Sequence, residues 1–444
     1  MDPSDLDRLA DRFAALSRRY GPVFRSWGGW ERGEQYLRGL LVGGDDRRNA
    51  ENLAEHVDGA TPRALQRFLS DAPWSAERVI EYLQEDVAPL LEEPDAVFVV
   101  DETGVPKQGT KSVGVARHYS GTLGKVGNCQ IGVFLGYASS RGQALVDARL
   151  YLPEVWTDDS DRCRAAGVPD DVDVATKPVL ALAMVRAARA RGHLQARWVT
   201  GDAVYGGNPA FRDALDGDGL WYLLEVPVTT GVCPVTGPAP TTPVASGSWR
   251  LREDLGRPTT LGDLAAGLAD RWQTLTIGLG AQGPRTYQFA HQRVRAFRAG
   301  VLGGELTAVF RRNLDGRELK LYLTNAPPGV PLLLLGQVAS RRWTIETGFE
   351  QTKTEIGLDE YEVRGWRGWH HHIALALLAG LFLLPLRQEL GEKSAGPHHP
   401  PGQPDPSSPP AAPGLEPRRL ADVARDDPDA QRGCHTLTRT QTAA

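Results

Sequence analysis

Apolar positions recur at helical spacing from the N-terminus to about residue 90. The pattern predicts helices over Leu6–Tyr20, Gly33–Leu41, Asn49–Val57, Pro62–Leu69 and Ala76–Leu91. Thr61-Pro62 reads as an N-cap followed by proline at the first helical position, where a missing N–H costs nothing. The pair Asn49–Val57 and Pro62–Leu69, joined by Asp58-Gly59-Ala60-Thr61, resembles a helix-turn-helix. Its second helix would present Arg63, Gln66 and Arg67 to DNA; a small bundle with solvated arginines fits the same pattern.

From Ala96 the period changes. Ala96–Asp101, Ser112–Tyr119, Cys129–Ala138 and Ala144–Leu152 read as strands, Lys177–Arg191 as a helix and Trp198–Gly201 as a strand. Asn208–Leu215 reads as a short helix and Leu220–Val226 as another strand. Antiparallel strands followed by helix–strand–helix–strand predict an α/β chain with a ribonuclease-H-like core. Residues 229–330 begin rich in Pro, Gly and Thr and then hold strand-like runs, a β-rich insertion. Leu332 to about Leu358 reads as one long helix, and the apolar run Ile373–Leu386 as a core helix. That run is 14 residues long, short of the ~20 a membrane span needs. From about Glu392 the chain is dense in proline without an apolar stripe, so disorder is expected. The expected division is 1–92 helical and DNA-binding, 93–228 first part of the core, 229–330 insertion, 331–391 core helices and 392–444 tail.

Net charge is −5 and the isoelectric point about 6.1, which speaks against an overall basic nucleic-acid binder. Basic charge is overwhelmingly arginine, as a GC-rich genome would produce. Cys129, Cys163, Cys233 and Cys434 form no Cys-x-x-Cys pair, which disfavours a zinc ribbon or disulfide scaffold and suggests a reducing cytoplasm. Asp2, Asp5 and Asp7 are unlike a signal peptide.

Three carboxylates change the picture. Asp101 in Val99-Val100-Asp101-Glu102-Thr103-Gly104 and Asp202 in Gly201-Asp202-Ala203-Val204-Tyr205-Gly206 each end an apolar β run. Each is followed by a glycine that would leave room for a nucleic-acid backbone. Glu346 sits on the long helix, with Glu350 and Lys353 on the same face at i+4 and i+7. Two aspartates at strand ends and a glutamate from a helix suit divalent metal and phosphodiester cleavage. Glu102 and Glu350 are adjacent alternatives as ligands. His370-His371-His372 point different ways on a helix and read as a helix cap or phosphate contact rather than a metal cluster.

The spacing Arg342-x3-Glu346-x6-Lys353, with the two aspartate motifs, resembles DDE-superfamily insertion-sequence transposases of the Tyr-x2-Arg-x3-Glu-x6-Lys branch, nearest the insertion sequence 701 type. Gly357–Arg364 and Trp366-Arg367-Gly368-Trp369-His370 also resemble that family. The signature's Tyr position is Ala339. The resemblance implies a Mg2+- or Mn2+-dependent enzyme that cuts at inverted-repeat ends and transfers the 3′-OH strand to target DNA. Asp101, Asp202 and Glu346 would hold the metals. Arg342, Lys353, Lys107, Lys111 and Arg117 would neutralise DNA phosphates. Trp366, Trp369 and Tyr205 would either stack on an extruded base or be buried structural aromatics. The implied partner is double-stranded DNA, bound by a homodimer, in a bacterial cytoplasm near the nucleoid and without a membrane. A catalytically impaired or domesticated DNA-binding relic is the alternative.

Overall fold

The computed structural model describes residues 3–42, 47–120, 124–235, 257–280 and 283–394. The tail from 395 onward lies outside the described residues, and with it the expectation of disorder there; so does 236–256.

The expected N-terminal helices are present as α1 (Pro3–Tyr20), α2 (Trp27–Val42), α3 (Ala50–Glu55), α4 (Pro62–Ser70) and α5 (Ala76–Leu91). Thr61 caps α4, its hydroxyl accepting from the Ala64 amide at 3.4 Å, and Pro62 takes the first helical position. Asn49 caps α3 through the amides of Glu51 and Asn52. Leu65, Phe68 and Leu69 bury one face of α4, which leaves Arg63, Gln66 and Arg67 exposed on the other.

The strands are β1 (Val97–Pro106), β2 (Ala116–Ser120), β3 (Lys125–Ser139) and β4 (Gly142–Leu150), then β5 (Trp198–Gly201) and β6 (Trp221–Glu225). They continue as β7 (Gly231–Pro234), β8 (Thr259–Thr260), β9 (Gln273–Gly280), β10 (Gly283–Arg298), β11 (Val301–Arg312) and β12 (Leu319–Thr324). Among the described residues all belong to one sheet of order β2-β3-β1-β5-β6-β12-β11-β10-β7-β8, with β4 on β3 and β9 on β10. β1 is antiparallel to β3, and β3 to β4, whereas β5 is parallel to β1 and β6 to β5. The segment expected as an insertion extends the same sheet, entering by an antiparallel β12–β6 pair.

The remaining helices are α6 (Glu154–Thr157), α7 (Ser160–Ala165), α8 (Lys177–Arg191), α9 (Ala203–Gly206), α10 (Pro209–Gly217), α11 (Leu261–Ala266), α12 (Leu332–Gln351) and α13 (Trp366–Ser394). α12 and α13 share one face of the sheet, where Gly136 admits Ile345 and Gly132 admits Trp369. α13 is apolar and long enough to cross a membrane by length and composition, but most of it is buried within the protein. It packs on β4 and α5, as expected of a core helix.

Several boundaries differ from the sequence reading, and three of them bear on the site. β1 continues past Asp101 to Pro106, because β3 pairs with it over its whole length. β2 starts at Ala116; Ser112–Gly114 turn, with Gly114 at φ 72° against the Tyr151 carbonyl. The long helix ends at Gln351 and widens into a π turn over Thr352–Ile356, closed by Gly357 at φ 74°. A widened turn shifts the phase of the residues within and beyond it, and Lys353 stands on that turn.

His371 and His372 are neither cap nor phosphate contact, since α13 docks them into the interface with the N-terminal helices. His371 places its ring nitrogens 2.7 and 3.0 Å from the carbonyls of Leu69 and Trp74 and stacks on the Trp74 ring. His370 contacts the Trp366 carbonyl one turn back. His372 Nδ1 lies 2.8 Å from the Tyr36 hydroxyl and Nε2 3.2 Å from the Leu358 carbonyl. A neutral ring satisfies both partners of His372, accepting from Tyr36 and donating to Leu358.

Burial holds the His372 pKa far down, at about 3 against the usual 6.5. The folded pKa is depressed, so its contribution is present above pH 6.5 and lost as pH falls toward 3. Stability is expected to drop by about 1.4 kcal/mol per pH unit from this group below that point. Urea unfolding between pH 7 and 5 checks this: His372→Gln should flatten the slope, and an unchanged slope would refute it.

Candidate active site

The register of the three parallel strands builds the site. Val100 pairs with Gly201 and Gly201 with Leu224, so the next row across β1, β5 and β6 is Asp101, Asp202 and Glu225. Residues opposite one another in neighbouring strands share a face. The row therefore faces α12, at the carboxyl ends of β5 and β6, where open α/β sheets present their chemistry. Asp101 Oδ1 accepts from the Glu102 amide at 2.8 Å. Asp202 Oδ1 accepts from the Val204 amide at 2.9 Å and caps α9. Burial, then the neighbouring Asp202 charge, pushes the Asp101 pKa up to about 8. Asp202 is raised too, by burial first and then by Glu102.

From α12, Arg342 reaches into this row. Its Nη1 is 2.8 Å from Glu346 Oε1 and 3.9 Å from Asp101 Oδ2, and its Nε is 3.7 Å from Glu225 Oε2. Arg342 and Asp101 are nearly buried, whereas the Glu346 side chain is 52% exposed. Glu225 also accepts from Lys320 Nζ at 2.8 Å. Sequence reading misses Glu225, although it ends an apolar β run just as Asp101 and Asp202 do.

Glu102 points to the opposite face, as alternation in a strand requires. There it accepts from Lys177 Nζ at 2.6 Å and from the Tyr205 hydroxyl at 2.7 Å. Those bonds commit it to holding α8 and α9. Glu350 is exposed, one turn beyond Glu346.

No group of three or more His, Cys, Asp or Glu side chains is gathered into a ready metal cluster among the described residues. Two adjacent aspartates, Asp101 buried and Asp202 half-buried, each with a raised pKa, nevertheless fit a hard divalent cation. Oxygen donors suit it, and its charge would relieve the repulsion between them.

The other candidate residues scatter. Lys107 Nζ donates to the Tyr361 carbonyl at 2.7 Å and lies 3.5 Å over that ring, so its expected phosphate role gives way to a structural one. Burial lowers its pKa to about 8. Lys353 is half-buried on the π turn and feels Asp359, not Glu346. Lys111 and Arg117 are exposed near the β1–β2 end of the sheet, and Arg63 and Arg67 on α4, where Arg67 pairs loosely with Asp71 at 3.5 Å. Tyr205 and Trp369 are buried and unavailable for stacking; Trp366 is half-buried. The glycine after Asp202 does not leave room for DNA: a Cβ on Gly206 would meet the Glu225 carbonyl oxygen at 1.9 Å.

Residues 24–284 match the family described as DDE superfamily endonuclease. The chain is 24% identical over 225 residues to the probable transposase for insertion sequence element IS701 of Microchaete diplosiphon. That alignment covers 49% of this chain and 54% of the other, so the chain spans about half the length of this curated relative. Among solved structures, piggyBac transposase in a synaptic complex with hairpin DNA is 10% identical with a TM-score of 0.34, over 85% of this chain and 77% of that one. The NurA nuclease of Sulfolobus solfataricus is 8% identical with a TM-score of 0.26, over 62% and 93% respectively.

Proposed function

The chain belongs to the DDE superfamily of endonucleases, and from that premise we propose that it is an insertion-sequence transposase. In this reading it cuts DNA at inverted-repeat ends and joins the freed 3′-OH strand to target DNA. The observation that carries the reading is the placement of Asp101 on β1 beside Asp202, which directly follows the neighbouring parallel strand β5, with Glu346 joined to Asp101 through Arg342. The sub-order β4-β3-β1-β5-β6, antiparallel then parallel, supports a ribonuclease-H-like core over 93–228, completed by the helices of 331–391.

Divalent Mg2+ or Mn2+, when bound, activates the attacking oxygen and stabilises the leaving one. Asp101 and Asp202 would hold it, each fixed by a backbone amide, and Glu346 would complete the set from the exposed end of α12. Lys111 and Arg117 offer exposed charge for phosphates near the cut. DNA would be held by a homodimer, in the bacterial cytoplasm at the nucleoid. Ala339 at the signature's Tyr position favours, as the second reading, a relic that binds DNA without cutting it. Incubating the protein with DNA carrying the element's ends, with and without Mg2+, separates the two: nicking supports the transposase, and binding without nicking supports the relic.

Residues 1–92 would carry end recognition through α4. Replacing Arg63 and Arg67 by Ala is expected to weaken binding to end DNA by ~1–3 kcal/mol per lost base contact. If the pair only meets phosphates, affinity falls alike for all sequences and its salt dependence flattens. Unchanged affinity and salt response in a gel-shift titration would remove α4 from the interface.

A further inference from the structure

The sequence signature puts Arg342 beside Glu346 but gives no reason for the guanidinium to be buried. In the structure it is the hub of the carboxylate row, facing Glu346 and Asp101 through Nη1 and Glu225 through Nε. Glu225 is the one carboxylate of the row with a cation of its own, Lys320 on the neighbouring strand β12. On the opposite face Lys177 is tied up by Glu102 and does not compensate this row.

Resting on the reading that Asp101, Asp202 and Glu346 take a divalent ion, we propose that Arg342 is an exchangeable counter-ion of this site. It pairs with Glu346 and lies against Asp101 until a divalent cation binds, and then withdraws onto Glu225. The physical reason is direct. A guanidinium keeps its charge at any working pH, and positive charges repel strongly at contact distance in a partly buried site. Arg342 therefore cannot stay against Asp101 once a divalent ion is held there. Its Nε edge already faces Glu225, so withdrawal needs only side-chain rotation on a fixed helix. Lys320 holds the Glu225 carboxylate in place, which makes it a receiver for the guanidinium and not a free metal ligand. Glu225 is thus a positioning residue.

The test is Mn2+ and Ca2+ affinity of the full chain without DNA, measured by calorimetry. Asp101→Asn with Asp202→Asn should abolish binding; if it does not, the carboxylate reading falls and the exchange falls with it. With that control met, Arg342→Gln is expected to bind metal ~10-fold more tightly, because no cation has to leave, and Glu225→Gln ~10-fold more weakly, because the guanidinium has lost its receiver. Simple charge effects would give the same two signs, so the deciding measurement is the double variant. In the Arg342→Gln background, Glu225→Gln should change affinity by less than about twofold. An equal effect of Glu225→Gln with and without Arg342 would overturn the exchange while leaving the metal site intact, as would weaker or unchanged binding by Arg342→Gln. Should Arg342→Gln fail to fold, the same cycle is run with Arg342→Lys. A lysine cannot span Glu225 and Asp101 with a fork, so Glu225→Gln should again lose most of its effect, and its full effect there overturns the proposal.

Discussion

Asp101→Asn, Asp202→Asn and Glu346→Gln are each expected to lower strand cleavage by about a thousandfold or more, while DNA affinity stays within about twofold. A thousandfold corresponds to about 4 kcal/mol of transition-state stabilisation, a loss in keeping with removing a charged metal ligand. The amides keep the shape of the site. In Asp202→Asn the side-chain carbonyl would still accept from the Val204 amide, because asparagine is as good an N-cap as aspartate. Asp101→Asn would remove a carboxylate that burial and Asp202 already disfavour. Neither strand end should come apart, and near-UV circular dichroism should be unchanged. Glu350→Gln is the internal comparison and should cleave normally. Cleavage retained by Glu346→Gln but lost by Glu350→Gln would move the third carboxylate one turn along α12. Cleavage retained by all three of the first set would remove the site altogether.

How much of this molecule is legible in its sequence depends on how local each signal is. The five N-terminal helices and the cap at Thr61-Pro62 are written in apolar spacing and turn chemistry, and they fold where those signals stand. Asp101 and Asp202 are legible because each interrupts a buried run with a charge. Glu225 carries the same signal but goes unnoticed, since only the register of β6 on β5 brings it into the row. The histidines show the opposite error. Three in succession suggest surface chemistry, but His371 and His372 find partners in Tyr36, Leu69 and Trp74, some 300 residues away in the chain, and no local pattern announces such a contact. The family resemblance assigns Lys353 and Lys107 to DNA. The docking of Lys107 on Tyr361 is a tertiary outcome that no local pattern shows, as is the π turn that carries Lys353. Likewise the insertion is legible as strands, but its continuation of the core sheet is set by a β12–β6 pairing across a long stretch of chain.

Gly206→Ala is expected to damage the fold and the site together. A Cβ at this position would lie 1.9 Å from the Glu225 carbonyl oxygen and 2.9 Å from both the Glu225 carbonyl carbon and Leu224 Cβ. The nearest obstacle is backbone in a paired strand, so it cannot swing aside as a side-chain tip would. α9 must lift off β6, and the bond from Arg212 to the Gly206 carbonyl must break with it. Forced overpacking of this kind costs about 3 kcal/mol or more when backbone has to move. The displacement also carries Asp202, whose carboxylate caps the same short helix, away from Asp101. Loss of stability and loss of cleavage should therefore appear in one variant. Gly217→Ala, at the end of α10 where a Cβ meets nothing within 4 Å, is the control; it should stay within about 0.5 kcal/mol of the parent. Urea unfolding of the two variants reads the difference. If Gly206→Ala unfolds at the same urea concentration as Gly217→Ala, α9 does not rest on β6, and the row of Asp101, Asp202 and Glu225 loses its support.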